Sequence, residues 1–254
     1  MKSIRLEEEW LEDMIPKGLP YPSSTLISGP GGTGKPLIGF AFIYDWLKNG
    51  GKVIFIALQY PESRFVRDAL EKLYGIDMDD YKERVVYVQA DFHIDDMETI
   101  DANNIKANLA RPEIWDRVIE ESEELMNGED FQKGPGTMVF AAALNLLLFS
   151  PTYKEEQLIK LEELLRANDQ RSYLFTVSTT LFKDEIEKLE EAADNLLFAE
   201  MGNDMEMSLR IERFSNQDVI VKEKDVPFAK ELLVEIKEIA EHSRKKVIPS
   251  LKRI

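Results

Sequence analysis

LISGPGGTGKPLIGF, residues 26–40, is the stretch that decides the fold of this 254-residue chain. A short apolar run leads into a glycine-rich loop, and an apolar segment of helical period follows it. From Gly29 to Lys35 the spacing is GxxxxGK, in which small residues let backbone N–H groups converge on an anion at a helix N-terminus. The next position, where this motif has Ser or Thr, is Pro36. The stretch therefore predicts a phosphate-binding loop with one unusual residue.

Along the rest of the chain, short β-branched or aromatic runs alternate with longer segments of helical period. The strands are predicted at 25–29, 53–58, 85–90, 137–148, 173–179, 195–200 and 207–214. The helices are predicted at 36–50, 61–75, 112–128, 154–169, 183–193 and 226–246. This alternation predicts an α/β fold with a mostly parallel central sheet flanked by helices.

Two segments give weaker signals. The run 137–148 is rich in Ala and Leu, which favour helix, and its place in the alternation and its flanking KGPG make us assign it as a strand. Residues 91–112 have weak periodicity and are predicted to be a long loop or an insertion.

Composition limits the class of protein. The chain is 44% hydrophobic, carries a formal charge of -16 and has no cysteine, so it can bury a large core but cannot form a disulfide or a thiolate metal site. We expect one domain, residues 1–241, followed by a basic tail, residues 242–254. No apolar run approaches the length of a membrane span, so we expect a soluble, cytoplasmic protein without a membrane partner. The negative charge disfavours nucleic acid as a partner.

The lead-in WLEDMIPKGLPYPSSTLISGPGGTGK resembles the opening of KaiC-like proteins, a branch of the RecA-superfamily ATPases that is common in archaea. VIFIALQYPESRFVRDAL and LEEAADNLLFAE are similar to later segments of that family, so the resemblance extends from about Trp10 to Phe228. It implies a RecA-like P-loop NTPase core, ATP or ADP as ligand, and assembly into dimers or hexamers.

The candidate nucleotide-binding residues are those of the loop and the first residues of the helix after it. They are Gly29, Gly31, Gly32, Thr33, Gly34, Lys35 and Pro36. Lys35 keeps the positive charge that would face a phosphate. The alternative is that the loop is a relic that merely connects strand to helix.

Three departures from the family pattern fall on the positions that carry its chemistry. Pro36 supplies neither a hydroxyl for Mg²⁺ nor a backbone N–H, and it disfavours helical geometry at Lys35, so the helix is expected to begin one residue late. Gln59 or Tyr60 stands where the family has the carboxylate that activates water, an assistance worth ~10²–10⁴-fold. Ala141 stands where the family has the carboxylate that orients Mg²⁺. We therefore expect no catalytic residue and no Mg²⁺ site.

These departures predict a non-hydrolysing regulatory or scaffold subunit that forms a homo-oligomer or binds another protein. One alternative is a slow ATPase in which a nearby carboxylate such as Glu62 replaces the missing base. A second is a RecA-type nucleic-acid-binding subunit, against which the net charge counts.

Other polar residues have structural interpretations beside functional ones. Ser178, Thr179 and Thr180 end a strand where the family senses the terminal phosphate, but such hydroxyls also form turns. Arg210 and Arg213 lie near the family's basic element, with three-residue spacing that places them on opposite faces of a strand. His93 is surrounded by Asp91, Asp95 and Asp96, which we interpret as a solvated acidic loop rather than a metal site.

The basic tail combines Arg244, Lys245, Lys246, Lys252 and Arg253 with several apolar side chains. We expect it to pack against an acidic, partly apolar surface of a neighbouring copy and to contribute to self-association. The alternative is a frayed terminus without a binding role.

Overall fold

Strands and helices alternate along the chain as the hydrophobic pattern predicts. The structure, a computed structural model, describes residues 2–58, 63–126, 134–167, 170–202, 206–218 and 223–254, without the side chains at 236, 237, 239, 240, 243 and 244. The strands are β1 Lys2–Ile4, β2 Leu19–Tyr21, β3 Ser24–Ser28, β4 Lys52–Ala57, β5 Val85–Ala90, β6 Met97–Asp101, β7 Asn104–Ala107, β8 Thr137–Ala141, β9 Ser172–Thr176, β10 Asn195–Met201, β11 Met207–Arg213 and β12 Glu223–Val226. The helices are α1 Glu9–Met14, α2 Lys35–Lys48, α3 Ser63–Tyr74, α4 Ile114–Leu125, α5 Lys154–Arg166, α6 Lys183–Ala192 and α7 Lys230–Leu251, with 3₁₀ helices at Met78–Arg84 and Leu144–Phe149.

Ten of the described strands form one sheet, in the order β12-β11-β10-β3-β9-β8-β4-β5-β7-β6. The neighbours from β10 to β7 pair in parallel, whereas β11, β12 and β6 pair antiparallel at the two ends. The predicted α/β fold with a mostly parallel central sheet is therefore confirmed. A separate pair, β1 with β2, lies before β3, where the sequence pattern predicts no strand.

The sheet separates two hydrophobic cores because successive side chains of a strand point to opposite faces. On β4, Val53 and Phe55 belong to one core and Ile54 and Ile56 to the other. We call the core that contains α1, α2 and α3 the front core, and the core that contains α4, α5 and α6 the back core. Trp46 of α2 and Trp115 of α4 are fully buried, the first in the front core and the second in the back core.

Helix α2 is apolar over most of its surface and twelve of its fourteen residues are buried, so it lies between the sheet and other elements rather than at the surface. Gly39 lets it approach β8 closely, since a Cβ at this position would lie 2.5 Å from Cε2 of Phe140. This packing fixes the start of α2, and with it the glycine-rich loop, against the sheet.

Two predicted segments differ from the structure. The run predicted as one strand at 137–148 ends as a strand at Ala141 and continues as the 3₁₀ helix Leu144–Phe149. Ala143 between them adopts a left-handed conformation with φ of 58°, which turns the chain out of the sheet. The segment 91–112, predicted as a long loop, contains the antiparallel strands β6 and β7, which extend the sheet beyond β5.

The last helix begins and ends later than predicted and includes most of the basic segment. Within this segment Leu251 is fully buried in the back core, and Val247, Ile248 and Ile254 pack against the same core. The apolar side chains of residues 247–254 therefore pack on their own chain. Contact of this segment with a neighbouring copy stays a prediction.

The sheet ends in two charged edges. On β6, the side chains from Glu98 to Asp101 are exposed, and on β12 Glu223 and Asp225 are exposed. Among the described helices, none has both the length and the apolar composition of a membrane span.

Candidate phosphate-binding loop

The glycine-rich loop joins β3 to α2 at the carboxyl end of a central strand. β3 lies between β10 and β9, and all five of its residues are buried. In parallel α/β sheets, ligands bind outside the carboxyl ends of the strands. The fold thus places the loop where a ligand would bind.

Glycine is required at several loop positions for backbone reasons. Gly29, Gly32 and Gly34 have φ angles of 136°, 83° and 64°, a region that side chains with a Cβ rarely adopt. A Cβ at Gly29 would also lie 2.1 Å from the carbonyl oxygen of Ala199 on β10. Gly31 and Gly32 are exposed at the tip, so their backbone groups face solvent.

Lys35 is turned into the loop instead of outward. Its side chain is buried, and its Nζ donates hydrogen bonds to the carbonyl oxygens of Gly29, at 2.9 Å, and Pro30, and to Oγ1 of Thr33, at 3.0 Å. The Thr33 hydroxyl in turn donates to the Pro30 carbonyl at 3.0 Å. The ammonium is thereby held by neutral oxygens within the loop, where the more strongly accepting oxygens of a phosphate could take over part of these contacts.

Pro36 is the second residue of α2, because the helix begins at Lys35. The expectation that the helix begins one residue late is wrong. The reason is that the first N–H groups of any helix have no partner within the helix, so the missing N–H of Pro36 costs no helical hydrogen bond. The next N–H, of Leu37, bonds to the Gly34 carbonyl at 2.9 Å in a tight first turn.

The end of β9 holds the tip of the loop. Oγ1 of Thr180 accepts a hydrogen bond from the Gly31 N–H at 3.0 Å, and the Thr179 N–H donates to the Gly29 carbonyl at 3.0 Å. The Ser178 hydroxyl donates to Oγ1 of Thr180 at 3.1 Å. The structure thus brings the three strand-end hydroxyl residues close to the loop. This arrangement fits a site that senses a phosphate, and it also fits a turn that only connects strand to helix.

Asn145, a polar residue within the apolar run 137–148, is a further member of this network. Its side chain is buried, and its Oδ1 accepts a hydrogen bond from the Ser178 N–H at 2.9 Å. Since Asn145 belongs to the 3₁₀ helix after β8, the ends of β8 and β9 and the loop after β3 are connected by hydrogen bonds.

The sequence does not identify Glu190 as a site residue. In a helix with many charged residues, its pattern does not differ from that of the solvent-exposed acidic residues around it. Its carboxylate accepts a hydrogen bond from the hydroxyl of Ser28, the last residue of β3. Beside it lies an open groove of about 580 Å³ between the loop and α6. The groove is lined by Pro30, Thr179, Thr180, Lys183, Ile186, Glu187, Glu190 and Phe198.

Of the positions expected to lack metal and catalytic groups, the structure describes Pro36 and Ala141. Ala141 is the last residue of β8 and is fully buried, so its methyl group offers no ligand at the end of that strand. Gln59, Tyr60 and Glu62 lie outside the described residues. Neither Pro36 nor Ala141 has a side-chain oxygen, so these two positions do not fit the Mg²⁺ ion of P-loop proteins.

The remaining candidates have partners within the chain. Asp95 and Asp96 form ion pairs with Arg111 and Arg117, and no group of three potential metal ligands occurs in the described ranges. Arg213 donates to the carbonyl oxygens of Glu190 and Ala193, both at 2.6 Å, and so ties β11 to the end of α6.

A protein-family profile described as "ATPase: KaiC" matches residues 8–123, which include the loop, α2, β4 and α3. A crystal structure of a KaiC-like protein from the hyperthermophilic archaeon Pyrococcus horikoshii has the same fold. The TM-score is 0.62 at 16% identity, with 88% of this chain and 92% of that chain covered. The profile match covers a little under half of the chain and makes it similar to KaiC-like ATPases in this part.

Two further proteins are similar to this chain. An uncharacterized protein from Pyrococcus horikoshii, crystallised with an unknown peptide, has a TM-score of 0.61 at 17% identity, with 89% of this chain and 96% of that chain covered. At such identities the two structures establish the shared fold alone. A UPF0273 protein from Pyrobaculum aerophilum is 41% identical over 49 residues, which are 19% of this chain and 17% of that protein.

Proposed function

We propose that this chain is a KaiC-like protein of the RecA superfamily that binds the phosphates of ATP or ADP in its loop without hydrolysing the nucleotide, and that it serves as a regulatory or scaffold subunit. The observation that carries the proposal is the retention of Lys35 next to Pro36, a residue that removes the metal-binding hydroxyl of the motif. We place the protein in the cytoplasm of an archaeal cell, since the similar proteins come from archaea.

The loop supports anion binding through its backbone and its lysine. The exposed glycines at 31 and 32 leave backbone groups accessible, and Lys35 lies within the loop with its ammonium bonded to oxygens. A bound phosphate would compete with the Thr180 hydroxyl for the Gly31 N–H. Binding would therefore alter the contacts at the end of β9 as well as those of Lys35.

The proposed lack of hydrolysis rests on three positions of the family pattern. Pro36 and Ala141 provide no oxygen at the two positions that contact Mg²⁺ in P-loop proteins. At 59 and 60 the sequence has Gln and Tyr where a carboxylate would activate water. The loss of that assistance alone is expected to slow hydrolysis ~10²–10⁴-fold.

A subunit that binds nucleotide without turnover can regulate only if a second molecule responds to the bound state. We propose a second copy of this chain or another protein in this role, and the similar fold crystallised with an unknown peptide supports a protein or peptide partner. The net charge of -16 argues against nucleic acid as the partner.

The test measures binding and turnover together. Calorimetric titration with ATP should give an affinity that changes less than about threefold between Mg²⁺ and EDTA, and phosphate release should not exceed background. Lys35→Ala should lose the binding. Hydrolysis that requires Mg²⁺ and disappears in Lys35→Ala would instead establish the slow ATPase, and Glu62→Gln would then identify its base.

A gain-of-function variant sharpens this test. Pro36→Thr with Ala141→Asp restores both oxygens that contact the metal, so ATP affinity should become dependent on Mg²⁺. Pro36→Ala with Ala141→Val is the matched control, since it changes the same positions without adding oxygen. Equal responses to Mg²⁺ in both double variants would refute the assignment of these two positions.

A further inference from the structure

Helix α7 contacts both hydrophobic cores of the protein. Leu233 in its first turn is buried in the front core, and Leu251 in its last turn is buried in the back core. The helix has 22 residues and is therefore about 33 Å long. It begins beside the loop after β3 and ends against the 3₁₀ helix after β8, so it passes along the carboxyl ends of the central strands.

The first turn of α7 lies directly on the phosphate-binding loop. A Cβ at Gly34 would be 2.8 Å from Cδ2 of Leu233 and 3.5 Å from Sδ of Met207, so these side chains cover the last glycine of the loop. The open groove is lined by Pro30, at the start of the loop, and by α6. The last glycine of the loop is thus covered by α7, whereas Pro30 borders an open groove.

The two ends of α7 are held unequally. Near the loop, Leu233 is buried and Leu232 packs partly buried against the front core, and Glu235 forms an ion pair with Lys72 of α3, at 3.0 Å, in which both side chains are half exposed. An ion pair exposed to this extent contributes little to stability. At the far end, Leu251 is fully buried and Lys252 lies over the ring of Phe149 at 5.7 Å.

We propose that α7 is a strap whose first turns cover the phosphate-binding loop and lift from it when a nucleotide binds, while its last turns stay on the back core. The inference rests on the proposed function, because it concerns access to the same loop. A strap that is closed most of the time lowers the apparent nucleotide affinity by the fraction of molecules in which it is open. Loosening the strap should therefore strengthen binding.

Two neighbouring substitutions test the contact with the loop. Leu233→Ala removes the side chain that covers Gly34, whereas Val234→Ala shortens the next side chain, which is 41% exposed. In titrations with a fluorescent ATP analogue, Leu233→Ala should bind about tenfold tighter or more, and Val234→Ala should bind as the unaltered chain does. Hydrogen exchange in residues 230–240 should rise when ATP is added.

A reversible crosslink tests the movement itself. The chain has no cysteine, so Lys72→Cys with Glu235→Cys introduces two unique thiols at the ion pair. A short reducible thiol crosslinker between them should abolish nucleotide binding, and reduction should restore it. The matched control is the same reagent on the single variant Glu235→Cys, which leaves α7 free to lift.

The outcomes separate the strap from the proposed function. Binding that is unaffected by the crosslink, or equal in Leu233→Ala and Val234→Ala, would overturn the strap and leave nucleotide binding intact. Absence of binding in every form, including Leu233→Ala, would overturn the proposed function and the strap with it. Tight binding only in Leu233→Ala or after reduction would support both.

Discussion

Asp45 on α2 is a buried carboxylate whose protonation should control stability. The residue is fully buried, its Oδ2 accepts a hydrogen bond from the Glu7 N–H at 3.2 Å, and its Oδ1 has no hydrogen-bond partner among the described residues. Burial raises the pKa of Asp45 from 3.8 to about 7, and the carboxylates of Glu7 and Glu8 act in the same direction. Lys48 opposes this rise.

The sign and size of the effect follow from proton binding. Between pH 4 and 7 the folded chain keeps a proton on Asp45 that the unfolded chain has released, so this group makes the free energy of unfolding fall as pH rises. A pKa of about 7 against 3.8 corresponds to at most about 4 kcal/mol, at 1.36 kcal/mol per pH unit. Above pH 7 that contribution stays constant.

Asp45→Asn removes the titration while keeping the shape of the side chain. Urea unfolding of both proteins at pH 5, 6, 7 and 8 should show the variant gaining stability relative to the unaltered chain as pH rises, with most of the gain complete by pH 7. Asp80→Asn, which removes one negative charge from an exposed position, controls for the change in net charge. A stability difference for Asp45→Asn that is the same at pH 5 and pH 8 would refute the reasoning.

Two further substitutions test the packing that supports the loop and the strap. Gly39→Ala should destabilise the protein by about 1–3 kcal/mol in urea unfolding, since the new Cβ would lie 2.5 Å from Phe140; an unchanged midpoint would show that α2 moves away freely. Leu251→Ala should cost about 2–5 kcal/mol, because this side chain is fully buried in the back core. A cost below about 0.5 kcal/mol, the range typical of exposed positions, would place the end of α7 at the surface.

The central part of the fold could be predicted because its strands and helices have strong and distinct periods. Strand β5 was predicted at its observed bounds, and the helix after the loop was misplaced by one residue at its start. The hairpin β6–β7 was missed because four of the five side chains of β6 are exposed, so the strand lacks a buried alternation. Strand β8 was predicted too long because the 3₁₀ helix after it is also buried, and burial of both elements hides the boundary.

The candidate site could be predicted only as far as it is local in sequence. The motif identifies the loop and Lys35, but the hydrogen bond from Gly31 to Thr180 and the contact of Leu233 with Gly34 join residues far apart in the chain. Glu190 of α6 likewise contacts Ser28 only in the folded chain, since the two residues are 162 positions apart. Nucleotide binding by the loop stays a prediction.

The charged edges of the sheet limit how copies of this chain could assemble. An extension of the sheet from one molecule to the next would bring Glu98 and Asp101 of β6, or Glu223 and Asp225 of β12, against the same acidic residues of the other copy. Like charges on paired strands oppose such pairing, which is also the route to fibrous aggregation. A dimer or ring of this protein should therefore be joined through helices and loops, with each sheet ending inside its own subunit.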